Sequence, residues 1–181
     1  YYKAAAQYAG GDIEGALATY QAMIDYDEEN GNAYYLHGCL SLKQQDTDTA
    51  KKDFANAVKY NPDDYELYVG IYENLAGNNM TEEGEEYLNK AFDIKRNSAE
   101  NLTWRGRIYY LLGQYDNVVK ELEGAVKKDS AKANLYLAQV YEAEEDSANA
   151  ENYYQAYVDS GTADSVAINA IAEIQMEKGN Y

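Results

Sequence analysis

NAYYLHGCLSLKQQDTDTAKKDFANAVKYNP, the stretch from Asn32 to Pro62, contains two apolar patterns of helical period separated by a polar turn. Its second half carries an i, i+4, i+7, i+8 stripe made of Ala50, Phe54, Ala57 and Val58. Such a stripe forms one apolar face of an α-helix. The stretch therefore predicts two helices that pack against each other as a hairpin.

Residues of the same kind recur at intervals of 34 positions on both sides of this stretch. Three columns keep that register: Ala16, Ala50, Gly84 and Val118; Tyr20, Phe54, Leu88 and Leu122; and Met23, Ala57, Ala91 and Ala125. The next interval, from Val118 to Ala150, is 32 residues, which predicts a shorter turn near Asp129. A hairpin of this size cannot bury its apolar face alone, so the repeats should stack on one another.

The pattern resembles the tetratricopeptide repeat. The matching positions are Tyr34, Gly38, Ala50, Phe54, Ala57 and Pro62 in one copy, and Gly106, Tyr109, Gly113, Tyr115, Leu122 and Ala125 in another. The resemblance implies an all-α fold, a right-handed superhelix (solenoid) of antiparallel helix pairs. It divides a single domain, 1–181, into repeats 1–30, 31–64, 65–98, 99–130 and 131–164 and a half repeat 165–181. Because both ends then fall within a repeat, we expect the parent protein to be longer.

Repeat three carries two local expectations. Tyr72 stands where the family pattern has a small residue on the first helix, called helix A, and we expect it to loosen or bend this repeat. Thr81 precedes Glu82 and Glu83, acids that the helix dipole favours in a first turn. Thr81 is therefore predicted to be the N-cap of helix B, the second helix of the repeat.

Charge and composition exclude several functions. The chain has 15 Lys and Arg against 32 Asp and Glu, a net charge of −17 that would repel nucleic acids and anionic lipid surfaces. One Cys and one His cannot form a zinc cage, so neither a metal nor another cofactor is expected. His37 and Cys39 lie two residues apart and point to different sides of one helix, and the chain has no Gly-rich phosphate loop. We therefore expect no enzyme and, since no apolar run approaches ~20 residues, no transmembrane segment.

The resemblance implies that ligands bind in the concave groove lined by the A helices, and the function is predicted from the residues of that groove. Among the 21 tyrosines, several fall there, and aromatic side chains are frequent in binding hot spots. The candidate groove residues are Tyr35, Glu66, Glu73, Trp104, Arg107, Tyr110, Tyr136, Gln139 and Glu142. We expect a non-catalytic scaffold for a protein or peptide segment that is basic or rich in aromatic residues, and no binding of acidic C-terminal tails.

Other interpretations remain open at this stage. The tyrosines can equally reflect the composition of the source proteome. The array can be an accessory domain of a larger enzyme, or part of an extracytoplasmic lipoprotein or receptor that binds a peptide or a glycan. A cytoplasmic and an extracytoplasmic location are both compatible with the sequence, and the full reading frame would distinguish them.

Comparison of the repeats with each other predicts two ion pairs. At the seventh position of helix A, repeats two and four carry His37 and Arg105, and sixteen residues later they carry Asp53 and Glu121. Repeats three and five have an aliphatic residue and a tyrosine at these positions: Ile71 with Tyr87, and Leu137 with Tyr153. Since an acid appears where a base does, we expect His37 to pair with Asp53 and Arg105 with Glu121, bridging helices A and B.

Overall fold

The computed structural model describes residues 1–162 and 165–177, and this part of the chain is built from α-helices, one π-helical turn and connecting turns. The helices are α1 (Tyr2–Ala9), α2 (Ile13–Tyr26), α3 (Gly31–Lys43), α4 (Thr47–Tyr60), α5 (Tyr65–Ala76), α6 (Thr81–Ala91), α7 (Ala99–Leu111), α8 (Tyr115–Val126), α9 (Ala131–Ala143), α10 (Ser147–Tyr157) and α11 (Ser165–Glu177). The π-helical turn is Val158–Thr162. The last two positions of predicted repeat five and the segment 178–181 of the predicted half repeat lie outside the described residues. The all-α fold of antiparallel helix pairs is confirmed.

The A helices begin where a polar residue recurs with the period of the repeat. The side chains of four residues accept a hydrogen bond from the backbone N–H three positions further on: Asn30 (3.0 Å), Asp64 (3.1 Å), Ser98 (3.1 Å) and Ser130 (3.3 Å). Each such N-cap satisfies one of the unpaired N–H groups of the first turn. This column of caps therefore sets the starts of α3, α5, α7 and α9.

The B helices of repeats one, two and five also begin with a capping side chain, whereas those of repeats three and four do not. Asp12, Asp46 and Asp146 accept from the N–H three residues on, at 2.9, 3.1 and 3.2 Å. At the equivalent positions of repeats three and four stand Met80 and Gln114, which make no such side-chain bond among the described residues. The prediction that Thr81 is the N-cap of α6 is wrong: Thr81 is the first helical residue, and Met80 precedes it at the cap.

A left-handed backbone conformation precedes every B helix from α2 to α10. The residue before the cap has φ between 60° and 82° in all five repeats: Gly11, Gln45, Asn79, Gly113 and Glu145. Glycine adopts this conformation without steric penalty, whereas for a residue with a Cβ it costs roughly 1–2 kcal/mol of conformational free energy. Asp129 has φ 64° in the turn between α8 and α9, where the repeat is two residues shorter.

The described residues form two compact units, Tyr1–Ile94 (unit 1) and the described residues from Lys95 onward (unit 2). Unit 1 contains the hairpins α1/α2, α3/α4 and α5/α6, and unit 2 contains α7/α8, α9/α10 and α11. In both units the repeat columns form the core, since their large members are at most 6% exposed: Tyr20, Phe54, Leu88, Leu122 and Tyr154. The organisation of all 181 residues as a single domain stays a prediction.

In repeat three, a large residue on helix A, Tyr72, faces a glycine on helix B, Gly84. Tyr72 on α5 is large where the pattern expects a small residue, but Gly84 on α6 faces it. A Cβ at Gly84 would lie 3.0 Å from Tyr72 Cδ2 and 3.2 Å from its Cα. The missing side chain of Gly84 thus lets the two backbones approach, and repeat three keeps a close helix pair in spite of Tyr72.

Candidate functional site: a cavity between α7, α8 and α9

The residues of the two predicted ion pairs lie together inside their hairpins. His37 Nδ1 is 2.6 Å from Asp53 Oδ2, and the two side chains are only 12% and 10% exposed. Glu121 Oε2 accepts from Arg105 Nε at 3.1 Å and from Nη2 at 2.8 Å. Each pair joins helices A and B of one repeat, so these charges belong to the fold and do not line the groove.

Arg105 also holds the segment that leads into α7. Its Nη1 donates to the carbonyl oxygen of Arg96 at 2.7 Å and its Nη2 to Asn97 Oδ1 at 3.0 Å. Lys128, two residues after α8, donates to the carbonyl oxygen of Asn97 at 2.5 Å. The two cations thus fasten residues 96 and 97 to the α7/α8 hairpin.

Three predicted groove residues lie in unit 1. Glu66 and Glu73 are exposed on α5, whereas Tyr35 is half-buried between α3 and α5. Its hydroxyl accepts from Asn74 Nδ2 at 3.4 Å, and its ring centre is 6.3 Å from that of Phe54. Burial raises the pKa of the Tyr35 hydroxyl well above its usual range. Tyr35 therefore packs between α3 and α5 inside unit 1, and its place in a groove stays a prediction.

Four predicted groove residues of unit 2 converge on one cavity of about 310 Å³. Arg107 and Tyr110 reach it from α7, and Tyr136 and Gln139 reach it from α9. The remaining wall residues are Gly106, Leu111, Val118, Leu122 and Val140. The wall is therefore mainly apolar, and the groups that can form hydrogen bonds belong to the four predicted residues. We call this space the α7–α9 cavity.

The cavity has the size and chemistry of a binding pocket. Ligand pockets range from about 300 to 1,000 Å³ and combine apolar walls with a few polar groups, so this one lies at the lower limit. The Arg107 guanidinium lies over the ring of Trp104, 5.4 Å from its centre. Tyr110 is 43% exposed and meets Tyr115 edge to face at 5.8 Å. An apolar or aromatic side chain fits such a space.

The cavity itself was not predicted from the sequence, although one residue signals it. Thr103 occupies in repeat four the helix A position of Tyr35 in repeat two. Its hydroxyl is 2.8 Å from both the Ala99 carbonyl oxygen and the Ser130 Oγ, so this short side chain is held away from the cavity. Thr103, a short polar residue where repeat two carries the ring of Tyr35, was the available clue.

The ninth candidate, Glu142, is engaged elsewhere. Its Oε2 accepts a hydrogen bond of 2.6 Å from the Tyr154 hydroxyl, which joins α9 to α10. Burial and this carboxylate raise the pKa of Tyr154. Glu142 also borders a second cleft, of about 400 Å³, whose other lining residues are Glu145, Ser147, Ala150, Glu173 and Ile174.

Residues 1–162 and 165–177 contain neither a candidate metal site nor a candidate membrane span. In these ranges, no three His, Cys, Asp or Glu side chains are grouped so that they could hold a metal ion. No helix within them has both the length and the apolar character needed to cross a membrane.

Comparison with known proteins identifies the repeat. Two family models, both described as tetratricopeptide repeat, match residues 31–64 and 105–165, which together make up about half of the chain. A search of curated protein sequences finds no significant match. Repeats of this family are generally non-catalytic modules for protein interaction.

Solved structures of tetratricopeptide-repeat proteins share the fold. The type IV pilus biogenesis factor PilW superposes with a TM-score of 0.64 at 19% identity, over 99% of this chain and 84% of PilW. TTC0263 from Thermus thermophilus gives 0.60 at 20% identity, over 97% and 96%. YrrB, described as a protein with an unusual peptide-binding site, gives 0.56 at 20% identity, over 92% and 87%. From the matched repeats and the shared fold, we conclude that the chain belongs to the tetratricopeptide repeat family.

Proposed function

We propose that this protein is a non-catalytic scaffold that binds a protein or peptide segment on the A-helix surface of unit 2, with the α7–α9 cavity at the centre. One observation carries the proposal: Arg107, Tyr110, Tyr136 and Gln139, from two successive A helices, surround a single apolar cavity. A concave pocket with a few polar groups at its edge is the usual form of a binding site. Membership of a family of interaction modules supports the same function.

The chemistry of the surface favours a segment that is basic or rich in aromatic residues. A net charge of −17 attracts positive partners and repels acidic ones. Tyrosine rings also attract ammonium groups, and the chain itself contains such contacts. The Lys59 and Lys90 ammonium groups lie 4.5 and 4.8 Å from the ring centres of Tyr60 and Tyr87.

Tyr110 offers the cleanest test of this proposal. It lines the cavity and is 43% exposed, so truncation should remove ligand contact without emptying the core. Tyr136 is less suitable, because it packs against the buried cluster of Val118, Leu122 and Leu137. In calorimetry with peptides that contain Lys, Arg and Tyr, Tyr110→Ala should weaken binding by about 2 kcal/mol, as for aromatic hot spots.

The matched control is Tyr26→Ala, because Tyr26 is 94% exposed on α2 in unit 1. This variant should bind the peptides as the wild type does, and circular dichroism should show that both variants remain helical. An acidic C-terminal peptide of equal length should not bind. Tight binding of the acidic peptide, or equal loss of affinity in both variants, would contradict the proposal.

A further inference from the structure

Helix α11 exposes apolar residues along one side. Within residues 1–162 and 165–177, the exposed large hydrophobic residues are tyrosines except for three, and these all belong to α11: Val166 (60%), Ile168 (53%) and Met176 (53%). Together with Ala172, which is also exposed, Ile168 and Met176 form an i, i+4, i+8 stripe. Grouped exposed apolar residues, unlike scattered ones, point to an interaction surface. We call Ile168, Ala172 and Met176 the α11 stripe.

The stripe occupies the fourth, eighth and twelfth positions of its helix, and in complete repeats these positions contact helix B of the same hairpin. One contact for each position is Tyr34 with Tyr60 (ring centres 5.9 Å apart), Gly106 with Leu122 (2.5 Å from an added Cβ to Cδ2) and Glu142 with Tyr154 (2.6 Å). In the described residues, α11 has no helix B beside it, so the side of α11 that would face one lies open.

The eighth position shows how a helix would lie on the stripe. In repeat two this position is Gly38, and a Cβ there would be 3.0 Å from Cε1 of Phe54, the large residue of helix B. In repeat five it is Ala138, which is fully buried in one cluster with Tyr154. In α11 the same position is the exposed Ala172. A large apolar residue of a docked helix therefore has its place on Ala172.

The seventh position indicates which residue precedes the large one. It is aliphatic in repeats three and five, where the residue sixteen positions later is a tyrosine: Ile71 with Tyr87, and Leu137 with Tyr153. Tyr153 packs against the buried cluster that contains Leu137. Helix α11 has Ile171 at this position. A docked helix should therefore carry a tyrosine directly before its large residue, because an acid there would face an aliphatic side chain instead of a cation.

We infer that the α11 stripe binds an amphipathic helix of a partner protein, which lies antiparallel to α11 as helix B lies antiparallel to helix A in the repeats. This helix has the spacing of the chain's own B helices, with a tyrosine directly before a large apolar residue. A second copy of the chain is not the occupant, because in the described residues each helix of this spacing already packs against its own helix A: α2, α4, α6, α8 and α10. The stripe is separate from the α7–α9 cavity, so the inference goes beyond the proposed function.

A peptide with the α10 sequence is the probe. It covers residues 146–158, DSANAENYYQAYV, and contains the N-cap of α10 and the pair Tyr153 and Tyr154. Because an isolated helix of this length is marginally stable, a lactam bridge between Ala148→Glu and Asn152→Lys, at two positions that are exposed on α10, keeps the peptide helical. Fluorescence anisotropy with the complete chain should show saturable binding in about 150 mM NaCl, which screens the net negative charges of both molecules.

Variants of the stripe should weaken this binding. Ile168→Asp puts a charge on the stripe, and Ala172→Phe fills the place of the large residue, so each should lower the affinity by at least about tenfold. Both side chains are exposed, so circular dichroism should show an unchanged helix content. The control is Val166→Asp, because Val166 is 60% exposed on the same helix but on a different side of it. This variant should bind the peptide as the wild type does.

Changes in the peptide test the pattern itself. Tyr154→Asp in the peptide should abolish binding, and Tyr153→Glu should weaken it several-fold. No saturable binding up to about 1 mM peptide, or unchanged affinity in the folded Ile168→Asp and Ala172→Phe variants, would overturn the inference. A dimer of the chain in light scattering that Ile168→Asp dissociates would overturn it as well, since a second copy would then occupy the stripe.

Discussion

Glu121→Gln should lower the free energy of unfolding by about 2 kcal/mol. Breaking a fully buried ion pair by removing one partner costs roughly 3–5 kcal/mol, because the other charge is left uncompensated. Here the Arg105 and Glu121 side chains are 14% and 18% exposed, so the pair is largely but not completely buried. Arg105 also keeps the Arg96 carbonyl and Asn97 as acceptors, and Gln retains one oxygen. Because of these contacts and the partial exposure, the expected loss falls below that range, to about 2 kcal/mol.

Urea denaturation followed by circular dichroism measures this loss, and the exposed pair Lys51–Glu83 provides the control. Its two charged atoms are 3.3 Å apart, but its side chains are 47% and 44% exposed. Solvent and salt screen such a pair, so Glu83→Gln should change stability by less than about 0.5 kcal/mol. The effect of Glu121→Gln should persist in 1 M NaCl, because a buried pair is screened much less.

A double variant tests whether the ion pair can be replaced by the aliphatic and aromatic residues that repeat five has at the same two positions. Repeat five has Leu137 and Tyr153 at the two positions, and Tyr153 stacks on Tyr141 with ring centres 5.5 Å apart. Since apolar residues of similar volume often replace a buried pair without loss, Arg105→Leu with Glu121→Tyr should be more stable than Glu121→Gln alone. If Glu121→Gln were no more destabilising than Glu83→Gln, or harmless in high salt, the reasoning would be refuted.

Met80→Asp and Gln114→Asp should each raise the free energy of unfolding by about 1 kcal/mol in urea denaturation, because they restore the missing N-caps of α6 and α8. Unchanged stability would show that these two positions do not act as N-caps. Gly106→Ala should destabilise it by about 1–3 kcal/mol, since the new Cβ would lie 2.5 Å from Leu122 Cδ2. A neutral result would mean that Leu122 can move aside. Burial raises the pKa of the Cys39 thiol to about 11, so at pH 8 iodoacetamide should modify the folded chain far more slowly than the chain in urea. Equal rates would place Cys39 at the surface.

The parts of the fold that depend on repetition could be predicted from the sequence. Phe54 and Leu122 are 0% and 1% exposed, as the apolar columns indicate. The charged positions of repeats two and four also meet across their hairpins, at 2.6 and 2.8 Å. Both results follow from comparing equivalent positions, where a change of residue type in one column is matched in the other. Such comparison works because stacked repeats place equivalent residues in similar surroundings.

Predictions that rested on one repeat alone were less reliable. Thr81 looks like an N-cap when only its own neighbours are considered, since two acids follow it. The column shows otherwise, because the equivalents one position earlier, Asp12, Asp46 and Asp146, are the capping residues. The cap of α6 falls on Met80 because the helix starts at a fixed distance after the left-handed residue Asn79.

The proposed binding surface illustrates why a family pattern alone cannot locate a site. Carried over position by position, the pattern treats Tyr35 and Arg107 as members of one groove, yet the first is packed between α3 and α5 while the second lines an open cavity. The two repeats also differ at the fifth residue of helix A, where the ring of Tyr35 in repeat two becomes Thr103 in repeat four. Whether such a side chain fills the space beside the next repeat depends on its size and on the hydrogen bonds that hold it. Three-dimensional packing therefore decides which repeat of an otherwise periodic array can accept a ligand.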